Sequence, residues 1–120
     1  KQFRFIERLY QAGARIFCGT DPSYPLIVPG YAIVEEAKNL QRCGMSRKDI
    51  LRSLTIEAAK ELGIDHLTGS IEAGKEADLV LLARDPMENI EHLASVQTVF
   101  QAGRRFTPSK LRHAAEGKIR

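Results

Sequence analysis

The chain has 120 residues, a net charge of +3, and hydrophobic and charged fractions of 43% and 28%. These values are typical of a globular domain and argue against a disordered chain. No run of 18 apolar residues occurs, so we expect neither a membrane span nor a secretory leader. Because the chain opens with Lys1 rather than Met, we expect a trimmed N-terminus or a piece cut from a longer protein.

The first third of the chain predicts one helix and one buried strand. Apolar residues at helical spacing run through residues 3–12, and Gly13 ends them. Residues 14–18 (ARIFC) are a short apolar run of the kind found in strands buried on both faces of a parallel sheet. Residues 22–30 contain three prolines and Gly30, which predicts a stiff, irregular loop.

Three helices are predicted next. The first closes at Gly44, after apolar residues at helical spacing. Ser46 is the expected N-cap of the second, with Asp49 at the position of a capping-box acid. The third helix covers about residues 55–62 and ends at Gly63, a residue type that readily adopts the left-handed conformation of a helix stop.

After Gly63 the apolar residues no longer follow helical spacing and instead form short runs typical of strands. Four strands are predicted, at residues 69–71, 78–82, 96–101 and 104–106. Residues 74–75 and 102–103 supply turns, and Asp85 is the expected N-cap of a short helical turn. Residues 108–120 are polar and predict a loosely held tail.

The basic residues and the cysteines favour a solvated surface and a reducing compartment. Lysines and arginines gather near both ends without interleaved aromatic residues, so we expect no nucleic-acid partner and no membrane partner. Cys18 and Cys43 lie in apolar stretches with no CxxC spacing. We therefore expect reduced, buried thiols and a cytoplasmic protein.

Asp21 is the residue with the clearest chemical potential. It directly follows the predicted strand at residues 14–18, and one parallel-type strand needs neighbours that this chain does not offer. In barrels of parallel strands, side chains at the carboxyl ends face the active site, where a carboxylate can bind a cation and accept a proton from metal-bound water. The alternative is that Asp21 only caps a turn before Pro22.

Several segments resemble a known family when they are taken in order. They are Gly19-Thr20-Asp21, residues 44–63, residues 68–82 (TGSIEAGKEADLVLL) and residues 96–106 (VQTVFQAGRRF). Together, residues 1–107 resemble the C-terminal third of amidohydrolase-superfamily enzymes, especially the imidazolonepropionase-like and prolidase-like branch.

The resemblance implies an α/β fold that is incomplete as it stands. Residues 1–66 would be the last strand and helices of a (β/α)₈ TIM-type barrel, with residues 14–21 as the eighth strand and its end. Residues 67–107 would be part of a small β-sandwich that N-terminal strands complete in these enzymes. Residues 108–120 would be the tail.

The resemblance also implies a function for the parent enzyme, which would hydrolyse a C–N bond with metal-activated water. The substrate would be a small amide, cyclic amide or peptide-like molecule. Asp21 would be the catalytic general base and a metal ligand, or a partner of one, and one or two zinc ions are the expected cofactor. Tyr24, in the proline-rich loop, is the expected substrate-binding residue.

The family pattern is only partly present. Family members also use an HxH pair and strand-end histidines, and His66, His92 and His113 match neither pattern. We expect all three to be solvated surface histidines. The isolated chain should therefore be inactive, should need the missing N-terminal part of the same enzyme, and should associate as a homo-oligomer through its uncovered apolar surface.

We expect three further carboxylates to have structural rather than catalytic roles. Asp78 is expected to accept a hydrogen bond from a turn or a backbone amide. Glu35 and Glu36 lie on the helix after the proline-rich loop, and we expect solvated helical carboxylates there, with a pocket-facing role as the alternative.

A helix-turn-helix nucleic-acid-binding module is the rival hypothesis. Residues 46–63 predict two short helices joined by a tight turn, with Arg47, Lys48 and Arg52 nearby. Glu57 and Glu61 oppose it, because they would place negative charge against phosphate.

Overall fold

The structure is a computed structural model that describes residues 2–21 and 30–109. The helices are α1 (Gln2–Gln11), α2 (Ala32–Arg42), α3 (Arg47–Ser53), α4 (Ile56–Glu61) and a 3₁₀ helix (Ile90–Ala94), and the strands are β1 (Leu79–Leu82), β2 (Val96–Gln101) and β3 (Arg104–Phe106). Helices α1 to α4 thus precede a small sheet, as predicted, and the 3₁₀ helix lies between β1 and β2. The 3₁₀ helix was not predicted.

Local signals set the helix boundaries. The backbone N–H of Asp49 donates to the Ser46 hydroxyl at 3.1 Å, which confirms Ser46 as the N-cap of α3. Gly13, Gly44 and Gly63 follow α1, α2 and α4 with φ of 82°, 83° and 71°. Only glycine adopts this left-handed conformation without a steric penalty, so the three predicted helix stops are confirmed.

The sheet is antiparallel, with the order β1-β2-β3. Val80 pairs with Val99, and Phe100 pairs with Arg105. The β2–β3 turn is residues 102–103, both with positive φ (47° and 75°), as a two-residue hairpin turn requires. The predicted turn is confirmed.

Asp78 holds this turn against the start of β1. The backbone N–H of Ala102 donates to Oδ1 of Asp78 at 2.7 Å. The prediction that Asp78 accepts a hydrogen bond from a backbone amide is therefore confirmed, and the carboxylate has a structural explanation.

The core lies where α2 and α3 meet the 3₁₀ helix. Its buried apolar side chains are Ala37, Leu40, Met45, Ile50 and Ile90. Ile90 is only 1% exposed, and the neighbouring Glu91 forms an ion pair with Lys38 of α2 at 3.3 Å. The segment leading into β2 is thereby anchored on the helices, so the sheet is tied to the helical part.

The predicted strand at residues 14–18 is not a strand in the structure. Residues 14–20 have no regular secondary structure, although Ile16 and Cys18 pack against the core. A strand is defined by hydrogen bonds to a neighbouring strand, and no described strand lies beside this segment.

The predicted strand at residues 69–71 is also wrong. Gly69 has φ of +92°, which an extended strand does not accommodate. A Cβ added to Gly69 would lie 2.7 Å from the Cβ of Ala59, so the backbone packs directly on α4. This close contact replaces strand pairing.

Candidate active site

Asp21 lies at the end of the described segment 14–21 and is exposed to solvent. Its backbone is left-handed, with φ of 42°. Aspartate is one of the few residue types other than glycine that tolerates this region, although the conformation has an energetic cost. The residue is therefore presented at the surface on a defined bend.

The segment that leads to Asp21 packs on the helices. Ile16 and Cys18 are two residues apart and both pack against the helical core. Phe17 lines a small cavity with Met45 and Ser53, so it also faces the helices. Arg15 has a side chain that is 71% exposed and pairs with Glu61 of α4 at 3.2 Å.

Glu36 is the inward-facing member of the Glu35–Glu36 pair. Burial raises its pKa, and its charge in turn raises the pKa of the two thiols. Glu35 instead accepts from the ammonium of Lys38 at 2.9 Å. The prediction of a solvated carboxylate therefore describes Glu35 better than Glu36, which lies partly buried near Cys18.

The cysteines are free thiols held in their protonated form. Burial, and then the charge of Glu36, raise the pKa of Cys18 to about 11. Burial also raises the pKa of Cys43, with Glu36 and Glu7 contributing. A thiol with a raised pKa is a poor nucleophile, so both cysteines have a packing role. Cys43 is buried as predicted, and Cys18 is partly buried.

The histidines lie in different environments. His66 is exposed, as predicted. His92 is partly buried, and its Nδ1 lies 2.6 Å from the carbonyl oxygen of Asp85. His92 is therefore a surface residue, as predicted, but its ring also contacts the backbone of the turn that begins at Asp85. His113, like Tyr24, lies outside the described residues.

The described donors do not make a complete metal site. Within residues 2–21 and 30–109, no group of three or more histidine, cysteine or acidic side chains is placed to hold an ion. Catalytic zinc normally takes three protein ligands. A single carboxylate such as Asp21 therefore fits a metal centre as one contributor among several.

A broad apolar groove separates the helices from the sheet. It has a volume of about 700 Å³ and runs between α3–α4 and strand β1. Ile71, Val80 and Leu81 line it and are 88%, 58% and 53% exposed. Such uncovered apolar surface is typical of an interface.

The helix-turn-helix hypothesis finds no support in the helices concerned. Arg52 forms an ion pair with Glu57, and Lys60 lies 3.5 Å from the same carboxylate. Arg47 donates to the carbonyl oxygen of Met87 at 3.3 Å. Arg47, Arg52 and Lys60 are thus engaged in internal contacts, and Glu57, next to two of them, would repel phosphate.

The comparisons with known proteins assign this chain to a family. A model of the amidohydrolase family matches residues 1–106. The chain belongs to the amidohydrolase family.

Individual relatives agree with this assignment. An adenine deaminase from Methanococcoides burtonii is 33% identical over 88% of this chain and 18% of its own length. An imidazolonepropionase from Rhizobium meliloti is 37% identical over 68% of this chain and 20% of its own length. A crystal structure of a Xaa-Pro dipeptidase with methionine bound in its active site is 31% identical over 88% of this chain and 25% of its own, with a TM-score of 0.80.

The relatives are much longer than this chain. It spans about a fifth of the two curated relatives and a quarter of the solved structure. The relatives named here are a deaminase, an imidazolonepropionase and a dipeptidase, and this chain shares their family. The described part of the chain consists of four α-helices, a 3₁₀ helix and a three-stranded antiparallel sheet.

The helices are short. Among the described residues, none combines the length and apolar character needed to cross a bilayer.

Proposed function

We propose that the enzyme containing this chain hydrolyses the C–N bond of a small amide, cyclic amide or peptide-like substrate, with Asp21 as general base. The observation that carries this proposal is the placement of Asp21. Asp21 is exposed, adopts a left-handed bend, and directly follows a segment that packs on the helical core. Membership of the amidohydrolase family supports the reaction class.

The same proposal gives each part of the chain a place in the whole enzyme. Residues 14–18 would pair as the eighth strand of a (β/α)₈ barrel only within the whole enzyme, and α2 to α4 would close that barrel within residues 1–66. Residues 67–107, with strands β1 to β3, belong to a β-sandwich beside it.

The proposed cofactor is a divalent metal, with zinc as the first choice and one or two ions. Asp21 would hold it together with residues from the rest of the enzyme, since the described donors are too few. Such an ion lowers the pKa of a bound water toward neutrality. The carboxylate of Asp21 accepts the proton of the attacking water and delivers it to the leaving nitrogen.

The substrate pocket is proposed to include the loop after Asp21. Tyr24 lies in that loop and remains the proposed substrate-binding residue, outside the described residues. Loops that follow barrel strands line the active site, so a tyrosine there is well placed to contact a ligand.

The reaction class is tested on the whole enzyme with a panel of amides, cyclic amides and dipeptides. We expect hydrolysis that is lost on treatment with a chelator and restored by added zinc. Hydrolysis that persists after complete metal removal would contradict the proposed chemistry. A salt-dependent shift of random DNA, without hydrolysis of any panel member, would instead favour a nucleic-acid-binding module.

The isolated 120-residue chain provides a second test. We expect no metal-dependent turnover of the same panel by this chain alone, even with excess zinc, because too few ligands are present. Turnover above background that Asp21→Asn removes would overturn the incomplete-site proposal.

A further inference from the structure

We draw no further inference here: the strongest candidate, the apolar groove of about 700 Å³ between helices α3 and α4 and strand β1, carries none, because nothing in the described residues shows what covers it and its completion by other strands of the same enzyme restates a property of the family.

Discussion

At the scale of single residues, Tyr10 and Asp49 connect α1 to α3. The Tyr10 hydroxyl donates to Oδ2 of Asp49 at 2.5 Å, and the Ser46 hydroxyl donates to the same oxygen. These hydrogen bonds, that of Ser46 first and that of Tyr10 second, lower the pKa of Asp49. The carboxylate therefore acts as an acceptor shared by the helix cap and the neighbouring helix.

Tyr10→Phe should lower the free energy of unfolding of the protein at neutral pH by about 1 kcal/mol, the usual size of one lost hydrogen bond. The folded pKa of Asp49 lies below its unfolded value, so this stabilisation is present above the unfolded pKa and is lost as pH falls through the folded pKa. Denaturant titrations should therefore show a difference between mutant and parent that shrinks in acid.

Tyr31→Phe is the matched control, because Tyr31 is 66% exposed. It should leave the free energy of unfolding unchanged at every pH. An equal loss in both variants, or a Tyr10→Phe loss that does not change with pH, would rule out the role given to the Tyr10–Asp49 contact.

At the scale of elements, Gly69 fixes how the segment before β1 approaches α4. Gly69 and Gly74 have nearly the same left-handed backbone, with φ of +92° and +94°. A Cβ on Gly69 would meet Ala59 at 2.7 Å, whereas one on Gly74 would meet nothing within 4 Å. Substitutions at the two glycines therefore distinguish the cost of backbone strain, which both share, from the cost of a steric clash, which only Gly69 has.

Gly69→Ala should destabilise the protein more than Gly74→Ala. Both variants carry the backbone cost of a left-handed alanine, roughly 1–2 kcal/mol. Only Gly69→Ala adds a clash with α4, which we expect to cost roughly 1–3 kcal/mol more. Thermal and denaturant melts of the two variants measure the difference, and equal losses would show that the Gly69–Ala59 contact is not tight.

The sequence predicted correctly those features that depend on residues close together in the chain. The cap at Ser46 and the stops at Gly13, Gly44 and Gly63 depend on hydrogen bonds and backbone angles within a few residues, and all were predicted. The acceptor role of Asp78 was predicted for the same reason, since a carboxylate beside a turn readily finds a free amide.

The elements that depend on distant partners were not predicted correctly. Residues 14–18 have the composition of a buried strand but no described strand beside them, and Gly69 is held by Ala59 of α4. The contact of His92 with the carbonyl oxygen of Asp85 spans seven residues, and no sequence pattern predicted it. Asp21 was identified from its position and the family resemblance, and its role stays a prediction.

At the scale of the whole molecule, the uncovered apolar surface is the dominant feature. No residue of α1 is buried, and Phe5 on that helix is 63% exposed. In the described sheet, β1 and β3 are both edge strands. Open strand edges beside apolar side chains favour association.

We propose that the isolated chain forms a dimer or higher oligomer at micromolar concentration. Burying a few hundred Å² of apolar surface contributes several kcal/mol, at about 25 cal/mol per Å².

Leu81→Lys should reduce the mass measured by light scattering, because it places a charge on the exposed face of β1. Gln97→Lys, at an exposed polar position of β2, is the control and should leave the mass unchanged. A monodisperse parent monomer with a cooperative melt would contradict this account.

The measurement that tests the central claim most directly compares Asp21→Asn with Asp78→Asn in the whole enzyme. Both substitutions replace a carboxylate by an amide of the same shape, but Asp78 accepts a hydrogen bond from Ala102 and has a structural role. The experiment measures kcat and metal content for both variants. Asp21→Asn should lower kcat by about 10²–10⁴-fold, the usual contribution of a general base. Asp78→Asn should retain a kcat close to that of the parent enzyme. A folded Asp21→Asn enzyme with near-parental kcat would show that Asp21 is only a turn residue.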